Sequence, residues 1–215
     1  MNKKIISISL YGTAAMYKKG LQANIELLPE IYPDWIIRIY SDSEKLFLDE
    51  FEKQGCEIII KPISNIHSGM FWRFLAAWDD EAERVIFRDC DSRFNVKEAE
   101  AVKAWEKSDL DAHCMHDHPH HESIPIFGGM WGIKCGVLPR DLLQDALKQC
   151  RLPQKRIQDM YWLRDKVHPI IKNSLLRHSS VRTKWAYVPF PTHPEYDGFV
   201  GQQYNEKGNP ICPDI

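Results

Sequence analysis

Four short runs of β-branched and other apolar residues, IISISL, WIIRIY, CEIIIK and RVIFR, fall within the first 90 residues, each separated from the next by a stretch of helical spacing. Short apolar runs alternating with helical patterns indicate βαβ units and a mainly parallel sheet. The pattern predicts strands over 4–11, 35–40, 56–61 and 84–88. Helices are expected over 14–28, ending near Pro29, then through Phe51, and over 68–78. Further on it predicts a helix near 98–107, strands near 112–116 and 130–134, and helices near 142–150 and 158–166. From Trp185 the chain is rich in Pro, Gly and aromatics and reads as an ordered, irregular segment over a site. No internal repeat interrupts this. The expectation is an α/β fold in one domain over residues 1–215, with a nucleotide-binding half (1–91) and a second half with a C-terminal tail (92–215).

Composition narrows the class. The chain has 215 residues, 44% of them hydrophobic and 27% charged. A chain of this size buries roughly 70% of its unfolded surface, so it forms a core without disulfides or a structural metal. Lys and Arg number 28 against 30 Asp and Glu, a net charge of -2, which lacks the basic excess of a nucleic-acid binder. The six cysteines form no C-x-x-C pair, which suits reduced thiols and a cytoplasmic location. The opening MNKKIISISLYG is too short for a transmembrane segment and has no small-residue cleavage site, so it reads as a buried strand. The chain closes on CPDI without a terminal element, as a domain of a longer polypeptide would. No G-x-G-x-x-G follows the first strand and no G-x-x-x-x-G-K-[ST] occurs, which removes most support for dinucleotide-binding dehydrogenases and P-loop enzymes.

The strongest chemical signal is RVIFRDCDSR. A buried strand delivers Asp89 and Asp91 at its carboxyl end, where open α/β sheets bind ligands. Carboxylates at i and i+2 point to the same side. Such a pair suits a hard cation that completes its shell with water and substrate phosphates. A second D-x-D, Asp109 and Asp111, precedes a strand and is expected at the opposite, ligand-free edge of the sheet.

At this point the chain resembles the nucleotide-sugar glycosyltransferases of GT-A fold that carry a D-x-D motif, in particular the small retaining type of bacterial polysaccharide and large-virus glycan pathways. The resemblance is carried by IISISLYG, by Asp89-Cys90-Asp91, by Gly128-Gly129-Met130-Trp131-Gly132, and by the stretch from His193 to Gly201. It implies that Asp89 and Asp91 hold Mn²⁺ or Mg²⁺ on a nucleoside-diphosphate sugar donor, with UDP the expected nucleotide, and that His193 completes the metal site. It also implies that Asp117 contacts the donor sugar and that Gln158-Asp159 lies beside the reacting carbon, with a glycan as acceptor. The chain departs from the type in having Gly128-Gly129 where Asn or Ala is common, and one Asp instead of two around Gln158. Stereochemistry and acceptor stay open.

The residues support this chemistry on their own terms. A departing nucleoside diphosphate needs its growing negative charge met by a metal or by cationic side chains. Arg88 abuts the D-x-D and Arg73 sits on the preceding segment GMFWRF, so either can face the donor. Tyr11 and Gly12 end the first strand, where a base or ribose would lie, and Asp42 follows the second. Gly128 and Gly129 permit close approach of backbone to ligand, and Gly198 and Gly201 do the same beside His193. Trp131 is the tryptophan expected to touch a sugar face, whereas Trp72, Trp78, Trp105 and Trp162 are expected in the core.

Two other classes compete. His116, Asp117, His118, His120 and His121 approach the H-x-H-x-D-H pattern of two-metal hydrolases and offer a zinc-dependent alternative, although His120 stands where that pattern has Asp. His113, His120 and His121 otherwise read as members of a solvated loop. A non-catalytic nucleotide-sugar-binding module of a larger synthase is the third possibility.

Overall fold

The computed structural model describes residues 3–43, 45–62, 67–192 and 198–211. In chain order the elements are β1 (Lys3–Leu10), α1 (Ala15–Ile31), β2 (Ile36–Ser41), α2 (Lys45–Lys53), β3 (Glu57–Ile60), a 3₁₀ segment (Ser68–Trp78) and β4 (Ala82–Arg88). They continue with α3 (Val96–Glu106), β5 (Ala112–His116), a short 3₁₀ turn (Pro119–Ser123), β6 (Trp131–Lys134), α4 (Arg140–Gln149), α5 (Gln158–Trp162), a π turn (Leu163–Val167), α6 (His168–Ile171) and β7 (Leu175–Ser179). The strands form one sheet in the order β3-β2-β1-β4-β6-β5-β7. Of these strands only β6 runs against its neighbours, so the sheet is mainly parallel as expected.

Period-2 alternation sorts the strand residues onto two faces. Ile6, Ile8, Ile37, Ile39 and Ile86 pack against Leu21 and Ile25 of α1, Leu48 and Phe51 of α2, and Val102 and Trp105 of α3. On the other face Ile5, Val85, Phe87 and Ile133 meet Phe71 and Phe74 of the long 3₁₀ segment, Ala146 of α4, Trp162 of α5, Val167 of the π turn and Ile171 of α6. Trp72, Trp78, Trp105 and Trp162 are all core residues, as the sequence suggests. So is Trp131, contrary to expectation. It sits on β6 with no exposed surface, its ring stacked on Phe87 at 4.3 Å between centroids.

Three element assignments change. Residues 68–78 are 3₁₀, not α-helical, with ten of the eleven buried. β7 goes unseen in the sequence because LLRHS carries only two apolar residues, while Arg177 and His178 are buried by tertiary contacts. α1 runs past Pro29 to Ile31, since a proline in the final turn removes a single hydrogen bond and the chain leaves the helix two residues later.

His113 and His121, expected in a solvated loop, are buried on and beyond β5, as is His116; of the three loop candidates only His120 is exposed. His113 Nε2 lies 3.0 Å from His178 Nδ1, and His121 Nδ1 accepts the Asp117 N–H at 3.0 Å. Burial pushes His116 and His178 down to about 4 and His121 to about 3, and lowers His113 as well. These rings stay neutral in the fold while the unfolded chain takes up protons near pH 6.5. Their contribution to stability is therefore complete above pH 6.5 and is lost as the pH falls toward 4. Raised carboxyls such as Glu98 work in the opposite sense, so a variant isolates the effect. His121→Asn keeps an acceptor for the Asp117 N–H and removes one titrating ring. Urea midpoints between pH 6.5 and 4 should show a slope shallower by about one proton, or roughly 1.4 kcal/mol per pH unit. An unchanged slope would mean that His121 is protonated in the folded state.

Candidate active site

The chain builds β2 and β3 on one side of β1, then returns to place β4 on the other. That reversal opens a crevice at the carboxyl ends of β1 and β4, the place where open α/β sheets bind ligands. A cavity of about 310 Å³ occupies it, lined by Ser9 and Tyr11 after β1 and by Asp89, Cys90 and Asp91 after β4.

Strand parity decides which side chains enter. Val85 and Phe87 face the 3₁₀ segment, and Asp89 continues that side. Ile86 faces the helices α1 and α3, and Arg88 follows it there. Arg88 is thus fully buried away from the cavity, its Nε 3.3 Å from Glu98 Oε1 and its guanidinium 3.5 Å from the Tyr32 hydroxyl. It does not face the cavity, which corrects the expectation that Arg88 as well as Arg73 binds the donor.

Arg73 does enter. Its backbone is fixed by the serines that interrupt the apolar run of β1. Ser7 Oγ donates to the Arg73 carbonyl at 2.7 Å, and the Arg73 N–H donates to Ser9 Oγ at 3.0 Å. From this anchor the buried guanidinium bridges two carboxylates, contacting Asp89 directly through Nη1 and Asp159 Oδ2 at 3.1 Å through Nη2. Both carboxylates hold the guanidinium in its charged form against the cost of burial. Asp159 sits in the first turn of α5 but does not cap it; Ile157 precedes the helix in the left-handed region, with φ 66°. Burial pushes the Asp159 carboxyl above the ordinary carboxylate range, and Arg73 opposes that shift.

Gly128 and Gly129 form the floor beneath this bridge. A Cβ on Gly129 would lie 1.9 Å from Asp89 Oδ2, and one on Gly128 would lie 2.4 Å from Asp159 Oδ2 and 2.6 Å from Arg73 Nη2. Any side chain here would displace the charged cluster, which accounts for the departure from Asn or Ala. The D-x-D turn is held from the other side by α1. The Cα of Gly20 meets the Cys90 carbonyl, leaving 2.0 Å for any Cβ, and Asn24 donates to the Ser92 carbonyl while accepting the Phe94 N–H.

Asp91 is buried at the cavity edge, where Gln203 Nε2 donates to its Oδ2 at 2.8 Å. Burial, reinforced by the charge of Asp89, pushes its carboxyl up to about 6. The cavity thus brings three carboxylates, Asp89, Asp91 and Asp159, against two guanidinium groups, Arg73 and Arg156. The carboxylates outnumber the guanidinium groups by one, so a cation would be accommodated here. Asp89 and Asp91, paired at the strand end, offer the oxygen ligands a hard divalent ion takes. His193, the expected third ligand, lies outside the described residues. Among the described residues no group of three or more His, Cys, Asp or Glu converges to hold a metal, which leaves the histidine-rich segment without a zinc site.

Of the other expected residues, Tyr11 and Gly129 line the cavity, whereas Gly12, Asp42 and Gly198 do not. Gly12 makes an exposed left-handed turn, with φ 77°. Asp117 is also placed elsewhere. Its carboxylate is engaged by Lys97, by Ser180 Oγ and by the Val200 N–H at 2.9 Å, so it anchors the C-terminal tail and does not line the cavity. The anchored tail then brings Gly201 and Gln203 to the cavity. Asp109 and Asp111 stand before β5, at the opposite sheet edge from Asp89, as expected. Sequence reading missed Tyr17, Arg156 and Gln203. Arg156, two residues before Gln158-Asp159, was the one with a local signal.

No family model matches the chain, and no curated protein matches it in sequence. Solved structures match it in fold. A glycosyltransferase involved in the glycosylation of the major capsid of PBCV-1 is 17% identical over 82% of this chain and 81% of that one, with a TM-score of 0.49. The 4-diphosphocytidyl-2C-methyl-D-erythritol synthase of Anaerococcus prevotii is 12% identical over 89% and 91%, with a TM-score of 0.51. Glucosyl-3-phosphoglycerate synthase of Mycobacterium tuberculosis, in complex with Mg²⁺ and uridine diphosphate, is 12% identical over 64% and 58%, with a TM-score of 0.41. The likeness is one of fold alone: a mainly parallel α/β sheet flanked by helices, of GT-A-like type.

The glycine floor makes a direct prediction. Gly129→Ala should lower the free energy of unfolding by about 1–3 kcal/mol, the range for overpacking a closed site. Urea denaturation measures this, and a loss below about 0.5 kcal/mol would mean that Asp89 does not rest on Gly129.

Proposed function

We propose that this protein is a metal-dependent glycosyltransferase that moves a hexose or deoxyhexose from a nucleoside-diphosphate sugar, with UDP the expected nucleotide, to a glycan acceptor. The observation that carries the reading is the buried Arg73, bridging Asp89 of the strand-end pair to Asp159 over a side-chain-free floor. Asp89 and Asp91 would hold Mn²⁺ or Mg²⁺, with His193 as the proposed third ligand. When bound, such an ion supplies the positive charge that stabilises a departing diphosphate.

The chain's own residues then divide the remaining work. Tyr11, half-buried after β1 with its phenol pushed up by desolvation, stays a neutral hydroxyl that can hold the base or ribose. Arg73 fixes Asp89 toward the donor and Asp159 toward the sugar, so both carboxylates are oriented before substrate arrives. Asp159 is placed to orient a sugar hydroxyl or to face positive charge developing at the ring carbon. Gly129 leaves room for the Asp89 carboxylate beside the cavity. Arg156, exposed at the lip, can meet the diphosphate from the solvent side.

Release of free nucleoside diphosphate from a panel of nucleotide sugars with Mn²⁺ tests the reading. Release of pyrophosphate from a nucleoside triphosphate and a sugar phosphate would identify a nucleotidyltransferase instead. Nucleotide binding without either product would leave a binding module. Asp91→Asn should unfold at nearly the wild-type temperature yet lose at least about a hundredfold in turnover, as does wild type in EDTA. Asp109→Asn should be silent in both, since Asp109 is exposed and its backbone carbonyl, not its carboxylate, accepts from Lys134. Full activity of Asp91→Asn would end the metal assignment.

A further inference from the structure

Charge is distributed unevenly along the chain. Residues 148–188 hold ten of the 28 Lys and Arg residues but only two of the 30 Asp and Glu, leaving eighteen basic against 28 acidic residues elsewhere. Nine of those ten cations are exposed. Of the two acids, Asp159 is buried in the cavity and Asp165 is paired with Arg164.

Most of this segment forms one layer. Ala146 of α4, Cys150, Trp162, Leu163, Val167 and Ile171 all point into the same core on one face of the sheet. The outward residues of this layer therefore share a surface, where the exposed cations Lys148, Arg151, Lys155, Lys166 and Lys172 outnumber the exposed acids Asp141 of α4 and Asp165. Large apolar side chains are exposed among them, namely Leu152 at 40%, Ile157 at 39%, Tyr161 at 37% and Ile170 at 45%. The half-buried Trp185 adjoins the layer through His168, with ring centroids 6.4 Å apart, and carries Lys184 over its ring. Ile157 and Arg156 belong to the layer and to the cavity lip together, so whatever this surface rests on adjoins the cavity mouth.

Exposed cations alone would suit any polyanion. Exposed aliphatic side chains among them suit a partner with an anionic surface over an apolar interior. Soluble glycans offer nothing for Leu152 or Ile170. Among the described residues no helix is long and apolar enough to cross a membrane, so contact would be peripheral. We propose that the outer surface of the layer formed by α4, α5, the π turn and α6 docks on an anionic lipid bilayer, presenting the cavity mouth to acceptors carried at that surface. Docking is read without turnover, so it stands or falls apart from the transferase reading.

The full chain is sedimented with vesicles of phosphatidylcholine, with and without about one-third phosphatidylglycerol, at low and high salt. Binding is expected only to the anionic vesicles and should weaken as salt rises. The combined variant Lys148→Glu, Arg151→Glu, Lys166→Glu and Lys172→Glu should reduce partitioning by about a hundredfold or more. The same charge change on the opposite layer, Lys19→Glu, Lys53→Glu, Lys103→Glu and Lys107→Glu, should cost far less. Leu152→Ser with Ile170→Ser should weaken vesicle binding while leaving its salt dependence unchanged. No binding to anionic vesicles overturns the proposal. So do equal losses from the two charge reversals, or binding to a soluble acidic polysaccharide without binding to vesicles.

Discussion

The site depends on one buried cation. Among the described residues Arg73 is the guanidinium that reaches both the D-x-D pair and α5, and everything around it serves to place it. Two serine hydroxyls of β1 fix its backbone, Phe74 packs beneath its guanidinium at 5.3 Å, and two glycines leave room above. A buried ion pair of this sort adds little to stability, because desolvation consumes most of the Coulomb attraction. Removing the arginine alone would leave the Asp159 carboxylate buried without its counter-ion, whereas Asp89, with its side chain 47% exposed, would be partly hydrated. The cluster thus contributes little while intact and is costly to break, which suits a fixed charge template more than a structural staple.

What the sequence made legible follows from periodicity. Strands with several β-branched residues were clear, as was the strand-end pair, because a buried run that stops at two acids marks the ligand-binding edge of an open sheet. Parity would also have separated Arg88 from Arg73. Counting from Val85 and Phe87 puts Asp89 and Asp91 on one side and Arg88 on the other, with Ile86. β7 was illegible because its burial is a tertiary fact; Arg177 is covered by donating to the carbonyls of Ala186 and Pro125, which no local pattern encodes. Asp117 looked catalytic for a similar reason. Spacing after a motif carries no information on whether a carboxylate meets a ligand or a backbone N–H from 83 residues away.

The C-terminal tail ties the two halves of the site together through carboxylates of opposite duty. Asp117 accepts the Val200 N–H, and Asp91 meets the tail twice, its carbonyl accepting the Tyr204 N–H at 2.8 Å and its carboxylate accepting from Gln203. Arg93, just after the D-x-D turn, lies over the Tyr204 ring at 4.9 Å. The segment that closes the cavity therefore takes its position from the motif it covers. A ligand that drew the Asp91 carboxylate away from Gln203 would still leave the backbone contact to Tyr204 and the ring contact to Arg93. Local adjustment at Asp91 need not release the tail.

Field and shape act together at the mouth. Inside, three carboxylates outnumber the guanidinium groups, whereas the outer layer beside the lip is strongly basic. An anion approaching over that layer is drawn by cations and then meets a cavity with more carboxylates than guanidinium groups. Screening limits the outer attraction to about 8–10 Å at ordinary ionic strength. The inner repulsion persists, because Asp91 and Asp159 are buried and little screened. Steering would therefore gather anions at the lip, and under the proposed function a cation held by Asp89 and Asp91 would offset the excess of carboxylates that a diphosphate meets inside.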